Sequence, residues 1–154
     1  MIKAGEFAPE FTLPDETAQV RSLTELLRAG ALILYFYPAD FTPGCMRQAC
    51  TMRDISAQLK GAALTVVGVS PQSTQSHARF KAEYALPFVL LSDEQKTVTR
   101  LYGVNGPFGI GVRRTTFLIS ADRRVREVLF LADFRIGRHG IFVRNAMGAS
   151  APAQ

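Results

Sequence analysis

Apolar residues along this chain fall into short solid runs, separated by segments with helical spacing. The longest run, ALILYFY at residues 31–37, contains no charged side chain and ends at Pro38. Such a run is typical of a strand that is buried on both faces of a sheet. Further strands are predicted at residues 64–69, 88–91, 115–120 and 125–131, the last two as a hairpin around residues 121–123.

Helices are predicted between these strands. Ser22 and Glu25 have the spacing of a capping box, which predicts a short helix that ends near Gly30. An apolar stripe that starts at Cys45 predicts a helix over residues 45–60. Two more helices are predicted at residues 73–84, capped by Ser73, and at residues 93–102, capped by Asp93, and a last one at residues 140–147. Residues 11–22 are predicted to be hairpin-like, and residues 38–44 and 103–112 to be loops.

The order of these elements predicts the fold class. Strands alternate with helices over most of the chain, which is typical of an α/β protein with helices on both faces of a central sheet. The closing hairpin adds antiparallel pairing, so the sheet is expected to be mixed. The length of 154 residues favours one domain, taken as residues 1–147, followed by a flexible tail at residues 148–154.

Composition and charge argue against several classes of protein. Hydrophobic residues make up 47% of the chain and charged residues 20%, which excludes a disordered protein. No apolar stretch approaches the roughly 20 residues of a membrane-spanning helix, and the N-terminus lacks a secretory signal. We therefore expect a cytoplasmic protein without a membrane partner.

The net charge of +5 lies wholly in residues 112–144, which hold eight Arg. We interpret that segment as a solvated surface and expect no nucleic-acid partner, because it lacks interleaved aromatic residues and any nucleic-acid motif.

The cysteine count points to redox chemistry rather than to a scaffold. Cys45 and Cys50 are the only cysteines, too few for a disulfide-rich secreted protein. His77 and His139 lie too far along the chain to complete a zinc site, so we expect neither a metal nor a cofactor. We expect both histidines at the surface or at helix ends rather than in catalysis.

Cys45 has the position of a reactive thiol. It starts a helix directly after the loop that leaves a buried strand, where α/β folds place their sites. Backbone N–H groups and the positive end of the helix dipole at that point favour a thiolate, which is the nucleophilic form. The alternative is a buried cysteine that serves as a small hydrophobic residue.

The spacing of Cys45 and Cys50 limits how the two can interact. Residues five apart in an ideal helix have Cα atoms roughly 8–9 Å apart, whereas a disulfide requires less than about 7 Å. Either the two cysteines never bond, or the first turn and a half of this helix must unwind for them to do so.

A known family has this arrangement. Residues 38–45, PADFTPGC, match the P-x-x-x-T-x-x-C signature of the peroxiredoxins, and residues 36–50, FYPADFTPGCMRQAC, resemble the peroxiredoxin Q, or bacterioferritin comigratory protein, subfamily. Further matches are GEFAPEFTLPD at 5–15, VVGVSP at 66–71, LLSDE at 90–94, YGV at 102–104 and RTTFLI at 114–119. The resemblance implies a thioredoxin-like fold, a monomer, and a thiol-dependent peroxidase that reduces hydrogen peroxide and organic hydroperoxides. The chain departs from the subfamily in a shorter loop at residues 103–112 and in its Arg-rich last third.

The resemblance also implies roles for individual residues. Cys45 would attack the peroxide and become a sulfenic acid, and Cys50 would resolve it as an intramolecular disulfide, the atypical 2-Cys pattern. A thioredoxin or glutaredoxin-like protein would be the reductant. Thr42 would hydrogen-bond the thiolate or the peroxide, and Pro38 would limit the access of water. Arg114 would hold Cys45 ionised and stabilise the charge that develops on the leaving oxygen.

Two assignments in this set have competitors. Arg113 adjoins Arg114, and the register of the following TTFLI favours Arg114. Gln48 fits the pattern of the family, and both a catalytic and a merely structural role stay open for it.

Two other functions compete with the peroxidase. A general thiol–disulfide oxidoreductase on the same fold is disfavoured, because such proteins use C-x-x-C and carry a proline where Thr115 or Thr116 stands here. A nucleic-acid-binding or chaperone-like role of the basic third would leave activity intact after the substitution Cys45→Ser.

Overall fold

The computed structural model describes residues 1–58 and 63–130. The predicted helix at residues 140–147, the tail at residues 148–154 and His139 lie outside the described residues, so they and the domain boundary at residue 147 stay predictions. Within the described ranges, no helix is both long enough and apolar enough to cross a membrane.

The described residues form two sheets. The strands are β1 (Thr12–Pro14), β2 (Val20–Ser22), β3 (Ala31–Phe36), β4 (Leu64–Ser70), β5 (Val89–Ser92), β6 (Thr115–Ile119) and β7 (Val125–Phe130). β1 and β2 make a small antiparallel hairpin, and the central sheet has the order β5-β4-β3-β6-β7. β3, β4 and β5 are parallel, whereas β6 runs antiparallel to β3 and β7 antiparallel to β6. The predicted mixed sheet is confirmed, and each predicted strand end that falls within the described residues agrees within one residue.

Helices cover both faces of the central sheet, as predicted. They are α1 (Leu23–Leu26), α2 (Pro43–Gln58), α3 (Thr74–Glu83) and α4 (Thr97–Leu101), with short 3₁₀ turns at Leu27–Ala29 and Pro107–Gly109. Alternate residues of β3 point to opposite faces and divide the core in two. Ile33 and Tyr35 pack with α2 and α3, whereas Leu34 and Phe36 pack with α1 and α4.

Local signals account for most helix starts. The Ser22 hydroxyl accepts a hydrogen bond from the Glu25 N–H at 3.1 Å, and the Ser73 hydroxyl caps α3 in the same way. α2 begins at Pro43, two residues before the predicted start at Cys45. The physical reason is that proline has its φ angle already set for the first helical position and needs no N–H partner there.

The start of α4 was predicted wrongly. Asp93 does not adjoin the helix, which begins at Thr97 after Lys96 in a left-handed conformation with φ of 56°. The Asp93 carboxylate still caps α4 from a distance, because it accepts hydrogen bonds from the N–H groups of Val98 and Thr99 at 3.3 and 2.7 Å. The loop between β5 and α4 folds back, so that the buried Asp93 carboxylate can accept hydrogen bonds from the first turn of α4.

Candidate active site

Cys45 lies in the first turn of α2, which follows the loop at the carboxyl end of the central strand β3. It is the third residue of the helix. Met46 makes the first helical hydrogen bond, from its N–H to the Thr42 carbonyl at 2.8 Å. The N–H groups of Gly44 and Cys45 precede that bond, so they and the helix dipole create a positive potential around the thiol.

Cys45 and Cys50 are free thiols within one continuous helix. Cys45 is 1% exposed and packs into the core with Ala49 and Met52, whereas Cys50 is half-buried. The two cysteines therefore differ in burial, as residues five apart in a helix point about 140° away from each other. Since the helix is intact over both, ideal geometry separates their Cα atoms by roughly 8–9 Å, beyond the reach of a disulfide.

Thr42 and Pro38 belong to the loop that leads into α2. The exposed Thr42 hydroxyl donates to the Ala39 carbonyl at 3.2 Å, which leaves its oxygen free to accept a hydrogen bond from a peroxide. Pro38 is half-buried, and its carbonyl accepts a 3.5 Å hydrogen bond from the Ser70 hydroxyl. These bonds go to the loop and to β4 rather than to the Cys45 sulfur.

Arg114 precedes β6 and reaches across to α2. Its Nη1 atom donates to Gln48 Oε1 at 3.2 Å, and Gln48 is a buried residue one turn after Cys45. Arg113 is exposed, and its backbone N–H is bound to the Val104 carbonyl at 2.7 Å. The structure therefore brings Arg114, and not Arg113, against the first turns of α2.

Two stacked tyrosines lie beneath the cysteines, with the Tyr35 and Tyr37 ring centroids 5.3 Å apart. Burial raises the pKa of the Tyr35 hydroxyl well above its usual value, and the nearby Cys45, Asp40 and Cys50 raise it further. That hydroxyl has no hydrogen-bond partner among the described residues. A neutral, buried O–H group therefore lies near both sulfur atoms, which sequence reasoning did not anticipate.

His77 was predicted at the surface or at a helix end, and the surface expectation is wrong. It lies in the first turn of α3 but is fully buried, with Nδ1 2.7 Å from Oδ2 of Asp40. Its spacing to Phe80 and Tyr84 is that of a buried helical stripe, a signal from which burial could have been predicted. No sequence signal pairs it with Asp40, because the contact joins residues that are far apart along the chain.

The arrangement supplies the parts of a nucleophilic thiol site. A thiol at a helix N-terminus, a guanidinium next to the same helix and an adjacent hydroxyl suit attack on an electrophile whose leaving group becomes negative. In residues 1–58 and 63–130, no three His, Cys, Asp or Glu side chains are grouped so that they could hold a metal ion.

Known proteins share both the sequence and the fold. The AhpC/TSA family model matches residues 4–128. Peroxiredoxin Bcp of Escherichia coli K12 is 37% identical over 150 residues, which cover 94% of each chain. A Coxiella burnetii protein named for the Bcp peroxiredoxins is 46% identical over 133 residues, 82% of this chain and 87% of its own. The crystal structure of peroxidoxin BcpB from Mycobacterium tuberculosis has a TM-score of 0.88 at 36% identity, over 97% of this chain and 98% of that one. This likeness confirms the thioredoxin-like fold.

Proposed function

Because this chain belongs to the AhpC/TSA family and to its Bcp peroxiredoxins, which are thiol-dependent peroxidases, we propose that it reduces peroxides through a Cys45 sulfenic acid that Cys50 resolves. One observation carries the assignment of the nucleophile. Cys45 is the cysteine in the first turn of α2, and the Arg114 guanidinium lies against that helix one turn further on.

In the first step, the Cys45 thiolate attacks one oxygen of the peroxide, and the O–O bond breaks. A sulfenic acid forms, and the other oxygen leaves as an alkoxide or hydroxide that takes up a proton. The Arg114 cation and the N–H groups of Gly44 and Cys45 are the donors suited to stabilise that negative charge. The Thr42 hydroxyl can accept the hydrogen bond of the peroxide O–H and so orient it, and Pro38 limits the access of water.

In the second step, the Cys50 thiol displaces the hydroxyl group of the Cys45 sulfenic acid, which gives a disulfide and one water molecule. The intact helix does not permit this bond, so the segment around residues 45–50 must unwind first. A local unwinding of this kind also moves Cys50 toward solvent, where a second thiol protein can reach the disulfide.

The reductant, location and assembly rest on the resemblance. A thiol donor restores both cysteines by giving two electrons and two protons to the disulfide. We propose a thioredoxin or glutaredoxin-like dithiol protein for this step, with the enzyme as a cytoplasmic monomer.

A coupled assay tests the proposal against a general thiol–disulfide oxidoreductase. Thioredoxin, its reductase and NADPH are combined with the protein and with hydrogen peroxide or a bulky alkyl hydroperoxide. We expect NADPH oxidation that depends on peroxide and is abolished by Cys45→Ser. Reduction of insulin disulfides without peroxide turnover would instead support the oxidoreductase. Peroxide turnover that persists in Cys45→Ser would show that another residue is the nucleophile.

A further inference from the structure

A buried polar cluster fastens the loop in front of Cys45 to two neighbouring elements. The Asp40 carboxylate accepts hydrogen bonds from the Tyr37 hydroxyl at 2.6 Å and from the Ser76 hydroxyl at 2.8 Å. His77 Nδ1 lies 2.7 Å from Oδ2 of Asp40, and His77 Nε2 lies 3.0 Å from the Leu91 carbonyl oxygen. The loop is therefore tied to α3 and, through His77, to β5.

The surroundings of His77 determine where its protons lie. A carbonyl oxygen only accepts hydrogen bonds, so the Nε2 atom that faces Leu91 must carry a hydrogen. Nδ1 then faces the Asp40 carboxyl group, with Oδ2 at a hydrogen-bond distance of 2.7 Å. Both side chains are fully buried. Loss of either partner would leave the other without its counterpart in the core.

The loop is held in a conformation that its own sequence disfavours. Phe41, next to Asp40, has a left-handed φ of 64°, which is unfavourable for a bulky residue. Its ring packs edge-on against Phe80 of α3, with centroids 5.1 Å apart. Two successive loop residues are thus tied to α3, so release of the Asp40 contact would let the loop relax.

The contacts of Asp40 with Ser76 and His77, which we call the anchor, lie at one end of the segment that must unwind for the disulfide to form. The Thr42 carbonyl, two residues after Asp40, accepts the first helical hydrogen bond of α2 from Met46. Beyond the cysteines, Met52 and Ile55 hold α2 in the core. The first turn of α2 therefore lies between two fixed points, of which the Asp40 contact is the polar one.

We propose that His77 and Asp40 are positioning residues, whose buried pair holds the first turn of α2 in the form that reacts with peroxide and opposes the unwinding that brings Cys50 to Cys45. This inference rests on the proposed function. A single contact then acts in opposite directions on the two steps, favouring the sulfenic acid and delaying the disulfide. A residue that only stabilised the fold would not shift the ratio of the two rates.

The test separates the two steps by rapid chemical quench and mass spectrometry, which suits a chain without Trp. Reduced protein is mixed with hydrogen peroxide, and the sulfenic acid is trapped with dimedone. In His77→Gln and Asp40→Asn, we expect the rate of sulfenic acid formation to fall and that of disulfide formation to rise. The ratio of the two rates should change by about tenfold or more, since each variant weakens the hydrogen bonds of a buried polar group.

Asp93→Asn is the matched control. Its carboxylate is also buried, but it caps α4 on the other face of the sheet, so this variant should lose thermal stability without a change in the ratio. The proposal is overturned if His77→Gln and Asp40→Asn behave as this control does. Should neither fold, Ser76→Ala removes one donor and keeps the His77–Asp40 pair. It should then shift the ratio in the same direction by less, and an unchanged ratio overturns the proposal.

The wild-type protein in the same experiment distinguishes this inference from the proposed function. A wild type that forms no sulfenic acid would contradict the proposed function and, with it, the anchor. A wild type that forms both products, alongside variants with an unchanged ratio, would contradict the anchor alone.

Discussion

Arg114 donates a hydrogen bond to the side-chain oxygen of Gln48 at 3.2 Å, which joins the start of β6 to α2 one turn after Cys45. Gln48 is buried, so the contact holds the guanidinium close to the helix rather than in solvent. In the proposed mechanism, a cation fixed at this place would act on the thiolate and on the departing oxygen without reorganisation during the reaction.

Arg114→Ala should slow the oxidation of Cys45 by hydrogen peroxide by about 10²–10³-fold, the usual cost of losing one preorganised donor. The measurement is the second-order rate constant of the reduced protein. Arg113→Ala is the control and should remain within about twofold of wild type, as is usual for an exposed side chain. If the rate constant fell further in Arg113→Ala than in Arg114→Ala, the catalytic cation would be Arg113.

Cys50→Ser should still consume one equivalent of peroxide per chain, because Cys45 is intact. Turnover with thioredoxin should fall, and the sulfenic acid should accumulate and pass to sulfinic acid as peroxide is added. Mass spectrometry of the intact chain follows both products. Undiminished turnover in this variant would remove Cys50 from the cycle.

Gly68→Ala should lower the free energy of unfolding by about 1–3 kcal/mol, the usual cost of overpacking a core. Gly68 pairs with Tyr35 across β3 and β4, and a methyl group on it would come within 2.9 Å of the Tyr35 ring and of Leu90. Denaturant unfolding measures the change. The same substitution in a Tyr35→Leu background should cost less, and equal costs in the two backgrounds would show that the ring does not set the limit.

Asp15→Asn should destabilise the protein at neutral pH by about 2 kcal/mol, the scale of hydrogen bonds to a charged group. Burial opposes the ionisation of Asp15, but hydrogen bonds from Thr17, Arg21 and Gln19 outweigh it and lower the pKa of the carboxyl. Because the folded pKa is the lower one, the contribution is complete above the unfolded value of about 3.9 and is lost as pH falls through the folded value.

Unfolding measured from pH 7 to pH 2 checks this prediction. The gap between wild type and Asp15→Asn should stay constant down to about pH 4 and then close. A gap that widened in acid would mean that the pKa of Asp15 is raised in the folded protein.

Local sequence signals predicted the parts of the fold that depend on neighbouring residues. The solid apolar run of β3 and the serine caps of α1 and α3 act within a few residues, and the structure has them where they were expected. The start of α4 was missed because the Asp93 carboxylate reaches it by way of a left-handed Lys96, a turn that the side-chain pattern does not reveal.

Some parts of the candidate site could likewise be predicted from neighbouring residues, whereas others depend on how the elements pack. The loop motif and the helix start identified Cys45, Thr42 and Pro38 as neighbours along the chain. The Asp40–His77 pair and the Tyr35 hydroxyl depend on how β3, β5 and α3 pack. Polar contacts of this kind are made between elements, and no periodicity in one segment predicts them.

In the proposed mechanism, Cys45 and Cys50 form a disulfide only when the helix that holds them unwinds. Hydrogen exchange of residues 44–52 tests it most directly, comparing reduced protein with protein whose oxidation to the Cys45–Cys50 disulfide has been verified by peptide mass. We expect slow exchange in the reduced form, where α2 is intact, and fast exchange in the oxidised form. A verified disulfide with unchanged exchange across this segment would mean that the helix does not have to unwind for the bond to form.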